Sequence, residues 1–156
     1  MNITVVCVGK LKERFWADAC AEYLKRLRPY AKVQVLEIPD IDPARAGGEA
    51  QARAKEGERI LDALPENAHV IALAIDGKQR TSEQISWHID ELGVRGASDI
   101  VFIIGGSTGL APAVLERAHE KLSFGAITLP HNLARVVLLE QLYRACKISR
   151  NEPYHK

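Results

Sequence analysis

Five short apolar runs are spaced along the chain, and each is followed by a stretch in which apolar side chains recur every three or four positions. Ile3 to Val8 (ITVVCV) carries no polar alternation beyond Thr4 and reads as a strand buried on both faces, which is what a parallel sheet demands. Val33 to Ile38, Val70 to Ile75, Ile100 to Ile104 and Phe124 to Leu129 read as the other four strands. Between them, Phe15, Ala19, Tyr23 and Leu27 mark a helix that Pro29 stops, and a charged helix runs from about Glu49 to Leu64 after a loop over 39–48. Asp76-Gly77-Lys78 reads as a turn. Thr81 and Gln84 have capping-box spacing and open a helix through Ile85, Ile89 and Leu92. Pro112 suits the first position of the next helix. Pro130 ends the fifth strand, and Asn132 is expected to cap a last helix, Leu133 to about Ile148.

Strict alternation of strands and helices predicts an α/β fold, a mostly parallel sheet with helices on both faces, and 156 residues suit a single domain spanning 1–156. In such sheets ligands bind beyond the carboxyl ends of the strands. The last helix is apolar on most sides, with Val136 to Leu139 consecutive and Leu142, Tyr143, Ala145 and Cys146 extending two stripes. Such a helix needs cover on most sides, which favours a homodimer over cover by neighbouring loops.

Composition narrows the picture little. Net charge is +1, but from His131 onward five cations (Arg135, Arg144, Lys147, Arg150, Lys156) face two acids (Glu140, Glu152), leaving −2 on the rest. Positive charge thus gathers where a polyanion can be met, although cations also suit helix C-termini for their own sake. Cys7, Cys20 and Cys146 are odd in number and far apart, so reduced thiols in a cytoplasmic protein are expected, with no zinc-type spacing and no metal. The opening apolar run is too short for a signal-peptide core or a membrane span.

Four segments carry candidate chemistry. Ile104-Gly105-Gly106-Ser107-Thr108-Gly109 lies between a strand and a helix, where glycines let backbone N–H groups approach a ligand. It matches neither G-x-G-x-x-G nor the phosphate loop, and a tight turn without a ligand is equally compatible with it. Ala72 to Lys78 offers an apolar strand end, and Leu122 to Asn132 mixes small and apolar residues ahead of Pro130-His131-Asn132. The tail, with Arg144, Tyr154 and His155, combines a cation, an aromatic ring and an imidazole that can pair with phosphate, stack on a base and accept a proton.

The order of these segments carries more than any one of them. A strand ending in Leu73 leads to Gly77-Lys78, then to Ile-Gly-Gly-x-x-Gly, then to Leu122-Ser123 with Ile127-Thr128, then to Pro130-His131. An Arg135-Val136 helix through Glu140 and Tyr143-Arg144-Ala145 follows, with Pro153-Tyr154-His155 closing. This order resembles the ribosomal RNA large subunit methyltransferase H family, of the SPOUT class, along the whole chain. The resemblance implies a C-terminal trefoil knot, one of the rare exceptions to the rule against knots. It implies S-adenosylmethionine as cofactor, held at Leu73, Gly105 and the segment Phe124, Gly125, Ala126, Ile127, Thr128 and Leu129. It implies a homodimer through the last helix. The implied substrate is 23S rRNA, at N3 of a pseudouridine in helix 69 of the assembled ribosome; DNA and membranes are not expected as partners. Arg144, Tyr154 and His155 match positions near the target base, His155 as base or as a positioning group while water takes the proton, Arg144 as anion stabiliser or phosphate grip, and Tyr154 as a stacking ring. The competing readings are another α/β nucleotide-cofactor enzyme and a non-catalytic ribosome-associated RNA-binding protein.

Overall fold

The structure, a computed structural model, describes residues 1–154. Five strands, β1 (Asn2–Val8), β2 (Lys32–Ile38), β3 (His69–Gln79), β4 (Asp99–Ile104) and β5 (Glu120–Ser123), form one sheet in the order β2-β1-β4-β3-β5, every pairing parallel. The helices are α1 (Arg14–Leu27), α2 (Pro43–Ala46), α3 (Glu49–Ala63), α4 (Ser82–Val94), α5 (Pro112–Arg117) and α6 (His131–Ser149). Among the described residues no helix is long and apolar enough to cross a membrane.

The unbroken apolar runs of β1 and β4 are explained by two cores. Ile3, Val5 and Cys7 of β1, with Ile100, Phe102 and Ile104 of β4, face a core closed by Cys20 and Leu27 of α1, Leu92 of α4 and Leu138, Leu139 and Leu142 of α6. The intervening Val6 and Val8, with Val101 and Ile103, face a second core closed by Ile60 of α3 and Val114 of α5. Successive side chains of a strand point to opposite faces, so both parities must be apolar. Helices therefore cover both faces, as the alternation predicts.

α6 lies against α1 and α4 on the first face and buries Ala134, Arg135, Leu138, Leu139, Leu142 and Ala145. Much of its apolar surplus is thus covered within the chain, while Val136, Val137 and Tyr143 stay half-buried. The capping box at Thr81 and Gln84 is formed, and Pro112 opens α5.

Four expectations need correction. The fifth strand is Glu120–Ser123, and Phe124 to Leu129 is a loop. β3 does not stop at Ile75: it continues through Asp76-Gly77 to Gln79, and its register shifts so that both Leu73 and Lys78 pair with Leu122. The loop over 39–48 holds a short helix, capped by Asp42, whose side chain accepts from the Ala44 N–H at 3.0 Å. Pro130, not Asn132, occupies the cap position of α6, and the Asn132 carboxamide oxygen accepts from the adjacent Leu133 N–H at 2.9 Å.

Candidate functional site

The shifted register of β3 opens the sheet edge. Ala74 and Ile75, released from pairing with β5, form one wall of a cavity of about 520 Å³. The turn after β4 forms a second wall, the loop after β5 a third, and the first turn of α6 the floor. The cavity lies beyond the carboxyl end of β4 and beside that of β5, the position the parallel topology favours for a ligand.

Each wall is held by specific contacts. In the turn after β4, Gly106 and Gly109 bridge to one another, and Arg53 of α3 donates to the Thr108 carbonyl at 3.0 Å. A β-carbon on Gly105 would stand 3.0 Å from the Gly109 carbonyl carbon, so any side chain here would push the turn open by a few tenths of an ångström. In the loop after β5, the Ser123 hydroxyl donates to the Ile75 carbonyl at 2.9 Å, and the Gly125 N–H reaches the same hydroxyl at 3.1 Å. Gly125 sits at φ +111°, a conformation incompatible with the strand predicted there. The loop is nevertheless apolar because it lines the cavity.

Of the sequence-predicted cofactor residues, Leu73, Gly105, Phe124, Gly125, Ile127, Thr128 and Leu129 all line this cavity; Ala126 does not. Leu110, Leu115 and Ala134 line it too and were missed, since apolar residues of helices and turns carry no signal of facing a ligand. Ile75 and Ile127 are 56% and 68% exposed, large apolar side chains with no cover in the free protein. Among the described residues the lining contains no Asp, Glu, Lys or Arg, and His131 is its one ionisable side chain. A phosphate would meet no cation here. A flat heteroaromatic ring between aliphatic side chains, its polar edges met by loop backbone, fits the walls.

Arg144 and Tyr154 are brought together elsewhere. The Arg144 guanidinium stacks over the Tyr154 ring, 4.7 Å from its centroid, and bonds Glu140 through Nε at 2.9 Å. The hydrogen bond and charge of Glu140 hold the guanidinium above its ordinary value, and burial pushes the Tyr154 phenol up. The tail before Tyr154 is tied down: Lys147 bonds Glu152 at 2.7 Å and the Tyr30 hydroxyl at 2.9 Å, while Arg150 stacks over Tyr30 at 4.7 Å. Tyr143 joins Tyr154 edge-on at 4.7 Å. The result is a surface of rings and cations. It does not reach the cavity of its own chain: Ala134 lines the cavity, and Arg144 lies ten residues further along α6, about 15 Å at the helical rise. His155 lies outside the described residues.

The cysteines are free, as expected. Burial pushes the Cys7 thiol up to about 12, beyond use as a nucleophile at neutral pH.

Comparison with known proteins agrees with this geometry. Residues 1–155 match a family described as predicted SPOUT methyltransferase. Relatives from Listeria monocytogenes serotype 4b (strain CLIP80459) and from Bacillus cytotoxicus, both called ribosomal RNA large subunit methyltransferase H, are 54% and 53% identical over 159 residues, covering both chains fully. A probable methyltransferase from Bordetella pertussis Tohama I superposes with a TM-score of 0.60 at 16% identity over 92% of this chain and 95% of that one. A probable methylase family protein from Haemophilus influenzae Rd KW20 does so with a TM-score of 0.53 at 12% identity, over 99% and 70%. At such identities the two structures speak for the fold; the full-length match and the relatives above half identity speak for the family. The chain belongs to the SPOUT methyltransferases, in the family of ribosomal RNA large subunit methyltransferase H.

Proposed function

We propose that this protein transfers a methyl group from S-adenosylmethionine to 23S rRNA, at N3 of a pseudouridine in helix 69 of the assembled ribosome, in the cytoplasm. The observation that carries the reading is the cavity of about 520 Å³ at the strand ends, apolar and, among the described residues, without Lys or Arg. S-adenosylmethionine has a flat adenine ring and no phosphate, so it suits walls that a dinucleotide or nucleoside triphosphate would not. Leu73, Gly105 and the segment from Phe124 to Leu129 would hold it, aliphatic side chains against the ring and backbone groups at its edges. When bound, it supplies an electrophilic methyl group.

The chain's own residues supply the rest. The cavity walls exclude water and fix the donor, and orientation is the largest lever available to a transfer of this kind. Arg144, kept charged by Glu140, offers a cation to the imide anion that forms when the target nitrogen loses its proton. Tyr154 offers a ring on which a base stacks, and His155 takes up the proton or positions the RNA. Arg144 lies about 15 Å along α6 from its own cavity, which favours a homodimer in which one copy's tail serves the other copy's cavity. Half-buried Val136, Val137 and Tyr143 on α6 are suited to that contact. The reading includes the C-terminal trefoil knot, on the strength of family membership.

Methyl transfer from labelled S-adenosylmethionine to unmodified 70S ribosomes, 50S subunits and naked 23S rRNA, with mass spectrometry locating the methyl, tests this. Label on a helix 69 pseudouridine supports it. Cofactor binding with no label on any substrate overturns the target, and absence of cofactor binding overturns the enzyme reading.

A further inference from the structure

Spacing along the chain offers no metal motif, yet the fold brings three metal-ligating atoms from three elements to one place outside the cavity. His69 Nε2, at the start of β3, stands 2.9 Å from Glu120 Oε1, at the start of β5. His88 Nε2, from α4, stands 2.5 Å from that same oxygen. The three ligand atoms all lie within 4.8 Å of one another, and each residue is about four-fifths buried. The two imidazoles meet edge-on, with ring centroids 6.2 Å apart and planes at 73°, so both direct a ring nitrogen at one locus without stacking on each other. Ligand atoms around tetrahedral zinc, with bonds of about 2.0–2.1 Å, stand about 3.3 Å apart. Moving the carboxylate oxygen back by under about 1 Å would bring its distance to each ring nitrogen to that spacing.

The surroundings have the features of a supported metal site. Arg80 bonds the other carboxylate oxygen, Oε2, at 3.2 Å and fixes the orientation of Glu120. His119 stacks on His69, 4.7 Å between centroids and 19° between planes, and holds that ring in place. His119 itself is turned away from the cluster, its Nδ1 accepting the Val70 N–H at 3.0 Å. Beneath lie Ile85, Ile89, Phe102 and Leu122, an apolar floor. Beside it a groove of about 360 Å³, reached past Arg80, His88 and the exposed Trp87, gives access and room for a water as fourth ligand.

We propose that His69, His88 and Glu120 form a binding site for a borderline divalent cation of the zinc class, which clamps α4 onto the β3–β5 edge. Two imidazoles and one carboxylate with an open position is a ligand set zinc accepts. The neighbouring Arg80 charge opposes a dication, so the site is of moderate affinity and exchanges its metal. The clamp acts on the strand pair whose shifted register forms one wall of the cavity.

The test is calorimetric titration of zinc chloride into EDTA-stripped, desalted full-length protein, with cobalt(II) absorption as a second readout. One zinc per chain is expected, with a rise in Tm on loading. His88→Ala and His69→Ala should weaken binding about 100-fold while leaving the circular dichroism spectrum unchanged. Arg80→Gln, which keeps a donor for Glu120 and removes the charge, should bind zinc several-fold more tightly, an outcome no purely structural role for Arg80 produces. Cobalt should give weak visible bands of nitrogen and oxygen ligation. No binding by the wild type, unchanged affinity in both histidine variants, or intense near-ultraviolet thiolate bands that place the metal on cysteine would each overturn the proposal.

Discussion

Gly77 lies directly against the backbone of Leu122: a β-carbon at Gly77 would stand 2.8 Å from the Leu122 carbonyl carbon and 2.9 Å from its nitrogen. Leu122 also pairs with both Leu73 and Lys78, so the four residues between them leave the ladder and Gly77 brings the strand back. Gly77→Ala forces the two strands apart. A loss of about 2–3 kcal/mol is expected in urea unfolding, as for other overpacked sites. A variant as stable as the wild type would show that the edge adjusts freely.

Gly105→Ala acts on the cavity and not on the core. Its new methyl meets the Gly109 carbonyl carbon and oxygen at 3.0 and 3.1 Å, and the turn after β4 must shift by a few tenths of an ångström. On the proposed reading, S-adenosylmethionine affinity should fall about tenfold with little change in Tm, because backbone donors at a ligand tolerate small displacements poorly. Titration calorimetry reads this directly.

Arg144→Lys keeps a positive charge and loses the planar fork that bonds Glu140 and covers the Tyr154 ring. On the proposed reading, turnover on ribosomes should drop about 100-fold while cofactor affinity stays at the wild-type value. Wild-type turnover in this variant would remove Arg144 from the chemistry.

Arg135 is 2% exposed and rests on two acceptors, the Glu37 carboxylate at 2.8 Å and the Gly9 carbonyl at 3.1 Å. Glu37→Ala strands a buried charge and should cost about 2–3 kcal/mol, at or below the usual range for a broken buried pair because Glu37 is itself partly exposed. Arg135→Met, which removes the charge and keeps the volume, should be the milder change. The reverse order in denaturant melts would contradict this account.

Acid should destabilise the protein in two stages. Burial, with the charges of His69 and Arg117 beside it, holds His119 below its ordinary value, so between that lowered value and about pH 6.5 the unfolded chain binds the extra proton. Stability then rises with pH and is lost as pH falls below 6.5. Glu120 is also lowered in the fold, so its contribution is complete above about pH 4.5 and disappears below. Tm should be flat above about pH 7, decline from 6.5 and fall further below 4.5. His119→Gln should flatten the upper stage and leave the lower one.

The strands of the sheet centre were legible because burial on both faces leaves Thr4 as the single polar residue from Ile3 to Val8 and none from Ile100 to Ile104. The fifth strand was not. Glu120 and Lys121 are polar because they meet His69, His88 and Asp76 at the sheet edge, and their sequence does not look like a strand. Phe124 to Leu129 does look like one, since facing a ligand cavity and facing a core place the same demand on side chains. The three segments that the resemblance assigns to a cofactor were picked out by their order along the chain, while their convergence on one cavity depends on a register shift at Gly77 that no periodicity records. The cluster of His69, His88 and Glu120 was invisible because its members are 19 and 32 residues apart, well beyond any local motif.

The central position of β1 bears on how the chain is born. One edge of β1 meets β2 about thirty residues later, but its other edge waits for β4, 97 residues away between Asn2 and Asp99. The helix that seals the face of Val5 and Phe102 comes later still, from His131 onward. A nascent chain that has passed only β2 or α3 therefore carries an open strand edge and an uncovered apolar face. Loop closure over such distances is slow, and exposed edges invite association. Synthesis has to be nearly finished before folding can be, and fragments ending before β4 should be recovered as aggregates, not as half-proteins.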